Sequence, residues 1–228
     1  MKLVDIHTHH QFQLSREDSE NIIMLRDQVD TIGMHPWHLS ADFDLNQWKQ
    51  NNLLDSYFHL NLIGEIGLDR VFNKNNKQRT DERPIHKQIE FLEMICSHQW
   101  AQDKKFIFHI VRAHSDLFEL MKKYKWRWTF LLHDFRGNAS EAKYYLKHDA
   151  YFSFGDNILK SSKTQQVVES IPIERIFIES DDRSFPSSKE YVEYLQKNYR
   201  QLALLKKLSE EEVIIKLYLN YRRFMGNA

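Results

Sequence analysis

The 228-residue sequence predicts a parallel α/β protein of the TIM-like barrel type, distorted or shortened near its first β/α unit. Three observations predict it. Short apolar runs suited to strands alternate with longer stretches of helical apolar spacing, about eight times along the chain. Histidines and carboxylates stand where several of those runs end, which is where a barrel keeps its chemistry. The chain also has length enough to bury roughly 70% of its unfolded surface, and it carries no long Pro/Gly/Ser linker, internal repeat or low-complexity tract. Residues 1–228 therefore read as one domain.

The first strand is expected at residues 3–6 and runs straight into His7-Thr8-His9, so that alternation points both imidazoles the same way. A second short strand at 22–25 and a third at 30–33 follow so closely that a full helix after the first strand has little room. A helix at 45–55 precedes a strand at 60–63, after which Gly64-Glu65-Ile66-Gly67-Leu68-Asp69 sets a carboxylate between two glycines where apolar packing ends. A helix at 84–102 presents Cys96 on its apolar face and leads to a strand at 106–110 that carries His109. Next come a helix at 115–124, a strand at 129–132 ending on His133, a helix at 139–147 and a strand at 151–153. A helix at 161–170 and a strand at 176–178, ending on Glu179-Ser180-Asp181-Asp182, complete the alternation. Helices at 187–206 and 209–225 follow, the last opened by a Ser209/Glu212 capping box.

Composition narrows the function. Lys plus Arg and Asp plus Glu are 32 each, so no global field steers a polyanion and any nucleic-acid binding must be local. The single cysteine excludes an intramolecular disulfide and points to a reducing cytoplasm. A charged Asp5 in the opening strand argues against a signal sequence, and no apolar run approaches the roughly 18 residues of a membrane span. Glycine is scarce, at six where about 7% usage would give roughly sixteen. Five of the six, Gly33, Gly64, Gly67, Gly137 and Gly155, follow apolar runs, as tight turns or a close ligand would require.

Six strand-end groups result: His7, His9, Glu65, His109, His133 and Asp181. A barrel gathers its strand ends into one ring, and six ligands exceed what one four-coordinate ion needs. They suit two divalent ions about 3.5 to 4 Å apart with a carboxylate bridging. Mixed imidazole and carboxylate ligation fits Zn, Mn or Fe, or Mg with water completing the shell. Taken singly, each group has a structural alternative: a histidine satisfied at a strand end, Glu65 as a helix cap, or Asp181-Asp182 opening a turn.

The ordered blocks Asp5-Ile6-His7-Thr8-His9, Gly33-Met34-His35-Pro36, Gly64-Glu65-Ile66-Gly67-Leu68-Asp69, His109-Ile110-Val111-Arg112-Ala113, His133-Asp134-Phe135-Arg136-Gly137 and Glu179-Ser180-Asp181 resemble the signature of TatD-related metal-dependent hydrolases. The resemblance implies a TIM-like barrel with two divalent metals and hydrolytic activity, often cleavage of DNA phosphodiesters. It implies His7, His9 and Asp181 at one metal, His109 and His133 at the other, and Glu65 between them; in the mechanism expected, Asp181 is also placed to take the proton of the attacking water. Departures are visible as well. The segment between His9 and Gly33 is short for the family, and Asp134, Arg136 and Asp182 replace residues that are usually small or uncharged, which points to a different substrate.

Further candidates surround this set. Glu179 can orient a ligand histidine or serve as a buried ion-pair partner. His35 resembles a family position near the substrate phosphate, and is equally a turn histidine before proline. Arg112 can hold a phosphate oxygen or simply open a helix. Basic residues in the stretch 70–83 (Arg70, Lys74, Lys77, Arg79, Arg83) can grip a nucleic-acid backbone or form a solvated surface. Trp126 and Trp128 are read as packing. Neither G-x-S-x-G nor a phosphate-cradling G-x-x-x-x-G-K-[ST] occurs. The function expected is hydrolysis of phosphodiester bonds in nucleic acid, with neither a membrane nor an obligate protein partner. The alternatives are an amidohydrolase acting on a small amide or lactone, and a non-catalytic metal-binding barrel.

Overall fold

In the computed structural model, the structure describes residues 2–10, 14–50, 61–71 and 83–226. The chain forms two compact units, one of Met1–Asp30 with His133–Ala228, the other of Thr31–Leu132.

In the first unit, β1 (Leu3–Thr8) pairs in parallel with β2 (Ile22–Arg26) on one side and β7 (Ile176–Ile178) on the other, and β7 pairs in parallel with β6 (Ala150–Phe154). Parallel strands covered on both faces are apolar along their length. Accordingly β1 is buried from Val4 to Thr8, and the Asp5 and His7 it carries are polar exceptions that need partners. The compressed start is visible directly: α1 (Arg16–Asn21), capped by Ser15, buries no side chain and leads straight into β2.

The helices of this unit obey their caps. Asn138 and Glu141 form a capping box on α5 (Ala139–Leu146), and Ser161 caps α7 (Ser162–Ser170), which follows the one-turn α6 (Asn157–Lys160). The expected box of Ser209 and Glu212 opens α9 (Glu210–Met225), and Gly226 closes it in the left-handed conformation that glycine adopts freely. Polar side chains fasten the last two helices to the strands. From α8 (Ser188–Lys206), the Tyr199 hydroxyl meets the N–H and the carbonyl of Val4 at 2.8 and 3.0 Å. From α9, Asn220 Nδ2 donates to the Ile173 and Ile176 carbonyls at 2.7 and 3.0 Å.

In the second unit, β3 (Leu62–Asp69), β4 (Lys105–Val111) and β5 (Phe130–Leu132) pair in parallel in that order. They are accompanied by α2 (Leu45–Gln50), α3 (Ile85–Ser97) and α4 (His114–Lys123). Trp126 and Trp128 are buried against each other, ring centroids 4.4 Å apart, and against Phe106. Cys96 is buried on α3.

Three sequence expectations change here. The strand expected at 30–33 is a single bridge, Ile32 to Ile63. The break expected after Ile63 is absent, because β3 continues through the glycine block to Asp69 and every one of its residues is buried. Gly67 is there for the neighbouring strand: a Cβ would overlap the His109 carbonyl. The helix expected over 84–102 stops at Ser97, His98 is extended, and a separate 3₁₀ turn covers Gln99–Asp103. The second half of the helix expected at 45–55 lies outside the described residues.

Candidate metal centre

In the first unit the backbone brings three imidazoles around one carboxylate. Asp181 follows β7 in a left-handed conformation (φ 53°), its N–H donating to the His7 carbonyl at 3.1 Å and its carbonyl accepting from the His9 N–H at 3.0 Å. Its side chain thus lies beside both histidines of β1. Asp181 Oδ1 is 3.6 Å from His7 Nε2, 3.5 Å from His9 Nε2 and 4.0 Å from His133 Nδ1. The His7 ring lies 5.0 Å from that of His9 and 4.7 Å from that of His133. These separations are too long for hydrogen bonds. Ligands held about 2.1 Å from a shared ion in a tetrahedron stand about 3.4 Å apart, so the spacing and the donor chemistry both fit a divalent cation. His7 is buried whereas His9 is 38% exposed, which opens the cluster to solvent on one side.

Beneath this cluster is a buried polar lattice. Asp5 accepts from the Ser180 N–H at 3.0 Å, from Ser180 Oγ at 2.6 Å and from the Tyr191 hydroxyl at 2.8 Å, and Ser180 Oγ is 2.7 Å from Thr8 Oγ1. Burial pushes the Asp5 carboxyl up to about 7, against the opposing hydrogen bonds from Ser180 and Tyr191. The peptide before Asp181 is in this way tied to β1. Glu179, fully buried, accepts from Ser153 Oγ at 2.6 Å and from the Asp134 N–H at 2.6 Å, and its Oε1 is 3.8 Å from His133 Nδ1. It therefore grips the peptide that follows His133. Asp134 and Arg136 form an ion pair with each other.

The second unit places an imidazole between two carboxylates. His109 stands opposite Gly67 in the β3–β4 register; Asp69 lies two residues further on the same strand face, and Glu65 lies in the stretch between Ile63 and Ile66 where the register shifts. His109 Nδ1 is 2.7 Å from Glu65 Oε1 and its Nε2 is 3.1 Å from Asp69 Oδ2. His35 Nε2 lies 3.2 Å from the same Glu65 oxygen. Burial raises the pKa of Asp69, but hydrogen bonds from His109, Trp37 and the Val71 N–H outweigh it and hold the carboxyl below its ordinary value. Gln88 fixes the Asp69 peptide, its Oε1 accepting the Asp69 N–H at 2.7 Å. Donor atoms of His35, Glu65 and His109 lie within 4.8 Å of one another, a second set able to hold a cation.

Other candidates stand apart from these sets. Arg112 is exposed after β4 in a left-handed conformation (φ 54°). Arg70 is held by Asp116 in a bidentate pair, both contacts 2.7 Å. Lys74, Lys77 and Arg79 lie outside the described residues. Sequence reasoning gave no role to two carboxylates that the structure brings in: Asp69, and Asp27, whose Oδ2 is 3.7 Å from His9 Nδ1. Asp27 directly follows β2, so the strand-end criterion applied elsewhere would have found it. Asp69 required reading Glu65-Ile66-Gly67-Leu68-Asp69 as strand.

The sequence profile described as TatD related DNase matches residues 11–226. The chain belongs to the TatD-related DNase family. This TatD chain is 25% identical over 191 residues to an Encephalitozoon cuniculi protein provisionally named a deoxyribonuclease of the TATDN1 type, with 83% of the chain aligned to 64% of that protein. It is also 25% identical over 189 residues to the uncharacterized metal-dependent hydrolase YabD of Bacillus subtilis, covering 78% of the chain and 70% of YabD. The chain thus spans less than two thirds of the Encephalitozoon relative, and it spans 46% of a like-named one from Vairimorpha ceranae. Among solved structures, it resembles a TatD family hydrolase of Entamoeba histolytica (TM-score 0.66, 23% identity, 90% of the chain and 75% of that protein). It likewise resembles the TatD homologue YJJV of Escherichia coli (TM-score 0.64, 18% identity, 97% of both). The fold class is that of these TatD proteins, parallel α/β and TIM-like, as the strand and helix alternation predicts. Among the described residues no helix is long and apolar enough to cross a membrane.

Proposed function

We propose that this TatD chain is a divalent-metal-dependent hydrolase of phosphodiester bonds in nucleic acid, with residues 1–228 acting as one domain in a reducing cytoplasm and with no obligate protein partner. The observation that carries the reading is the set of three imidazole nitrogens 3.5–4.0 Å from Asp181 Oδ1, spaced as ligands and not as hydrogen-bond partners. The name of the Encephalitozoon relative supports the substrate class, and that of YabD supports metal dependence.

In this reading His7, His9, Glu65, His109, His133 and Asp181 would hold two divalent ions of the Zn, Mn, Fe or Mg class. The ions would supply an acidified water and charge compensation at the phosphoryl group. The chain's own residues do the rest. Asp181 takes the proton of the attacking water on its carboxylate, while Glu179 keeps His133 in place by gripping the next peptide. Asp69 holds the His109 ring by its Nε2, which leaves Nδ1 directed at Glu65. His35, on the other side of that Glu65 oxygen, and the exposed Arg112 are the candidates to meet the substrate phosphate. Water adds across the P–O bond, giving a phosphomonoester and a free hydroxyl.

The test is to assay the protein with added Zn, Mn or Mg against single-stranded DNA, RNA, a phosphomonoester, and a small amide and lactone, side by side, with Asp181→Asn as control. Metal-dependent cleavage of an oligonucleotide, lost in the variant, is the expected result. Rapid turnover of the amide or lactone with an intact oligonucleotide would replace this reading by the amidohydrolase one.

A further inference from the structure

Trp37 is a large aromatic side chain left 50% exposed in a fold that buries Trp48, Trp126 and Trp128. It is nevertheless rigidly held. Its indole Nε1 donates to Asp69 Oδ2 at 2.6 Å, and its backbone N–H donates to His35 Nδ1 at 3.1 Å across the 3₁₀ turn Pro36–His38. The Asp69 oxygen that receives the indole also meets His109, and the rings of His35 and His109 lie 5.1 and 6.3 Å from that of Trp37. A half-exposed indole is thus fixed in one orientation at the edge of the Glu65–His109–His35 set. Arg83 lies over the same ring, its guanidinium carbon 5.3 Å from the centroid.

A fixed aromatic face costs little conformational entropy on binding and offers a planar ligand a stacking surface. An adjoining guanidinium offers two donors to a phosphate oxygen pair. A planar base joined through a sugar to an anionic phosphate is a nucleotide, and its face is free to stack in a single strand, whereas in a duplex the base faces are already stacked. We propose that Trp37 is the specificity-determining residue that stacks the base next to the scissile phosphate, with Arg83 holding the adjoining phosphate. The proposal rests on the phosphodiester reading above and narrows it to single-stranded nucleic acid whose bases are contacted.

The experiment measures binding by fluorescence anisotropy, using the protein as purified and two labelled six-residue strands with hydrolysis-resistant phosphorothioate linkages. One strand is oligothymidylate, the other an abasic backbone of equal charge. Trp37→Leu removes the stacking face, whereas Trp37→Phe keeps a ring but not the indole N–H. The wild type is expected to prefer the base-bearing strand by about five-fold or more, the lower end of a single base–aromatic stack. Trp37→Leu should abolish that preference while leaving abasic binding within about two-fold, and Trp37→Phe should keep most of it. The inference is overturned if the wild type shows no preference, or if Trp37→Leu weakens both strands equally, the mark of a residue that acts only by holding Asp69. Equal binding of both strands with normal oligonucleotide cleavage would discard stacking alone. Absence of both binding and cleavage would discard the phosphodiester reading with it.

Discussion

Tyr191 donates its hydroxyl to Asp5 at 2.8 Å, joining residues 186 positions apart. The same Asp5 oxygen accepts from Ser180 Oγ, so one carboxylate ties α8, β1 and the turn that presents Asp181. Replacing Tyr191 by Phe keeps the ring and removes one donor from a fully buried carboxyl. Above pH 8, where the Asp5 carboxyl is ionised, the loss should lower stability by about 1.5–3 kcal/mol, as for a hydrogen bond to a charged group, and is measurable by urea unfolding.

Metal content checks the first cluster. Purified protein saturated with Zn or Mn and desalted should retain up to two ions per chain by elemental analysis, because the ligands exceed one site. The double variant His7→Ala, His9→Ala should lose one ion with its circular dichroism unchanged. No retained metal in the wild type, and no activity gained on adding Zn, Mn or Mg, would refute the metal reading.

Glu65→Gln keeps the shape of the side chain and removes its charge beside His109 Nδ1 and His35 Nε2. Turnover should drop by at least about 10–100-fold while the melting temperature changes little, since losing even an outer partner of a metal ligand typically costs that much and Glu65 is proposed as a ligand itself. Near-normal turnover would leave Glu65 a purely structural partner of His109.

Gly67→Ala tests how β3 and β4 pack. The added methyl would overlap the His109 carbonyl, and backbone cannot yield as a flexible side chain does. Destabilisation of about 3 kcal/mol is expected, at the upper end of overpacking penalties, together with weaker metal retention at the His109 set.

Much of the architecture is legible in the chain. Apolar runs placed β1, β2, β4, β5, β6 and β7 because buried parallel strands are apolar along their length, and the capping box of Ser209 and Glu212 marked the start of α9. The strand through Glu65 was not legible, because two glycines and a carboxylate look like a turn until the partner strand is known. Only the carbonyl of His109 explains Gly67, and that contact is nonlocal. The same blindness hid Asp69, whose role depends on register. The strand-end histidines could be picked out by position, yet the sequence alone does not say that three imidazoles face one Asp181 oxygen at ligand spacing.

Cys96 gives a pH-dependent check of the core. It is buried on α3, and burial pushes its thiol pKa well above the ordinary value, so the reactive thiolate is suppressed in the folded state. At pH 8 the native protein should not react with a disulfide reagent over minutes, and one equivalent should react at once in guanidinium. Stoichiometric reaction of the native protein would place this helix in rapid local opening.

The first unit is discontinuous: Met1–Asp30 associates with His133–Ala228, and all of Thr31–Leu132 is synthesised between them. On the ribosome, β1 emerges with its partner β2 but without β7, without the Tyr199 that grips Val4 across 195 residues, and without Asp181. His7 and His9 therefore leave the exit tunnel long before the carboxylate they face, whereas β3, β4 and β5 emerge as one uninterrupted stretch that can pair as it is made. Closing β1 against β7 is a late, long-range event whose loop entropy is met only when the C-terminal helices arrive. A nascent chain arrested before β7 would accordingly display an apolar strand edge with two imidazoles at its tip, a natural substrate for chaperones and for stray metal ions.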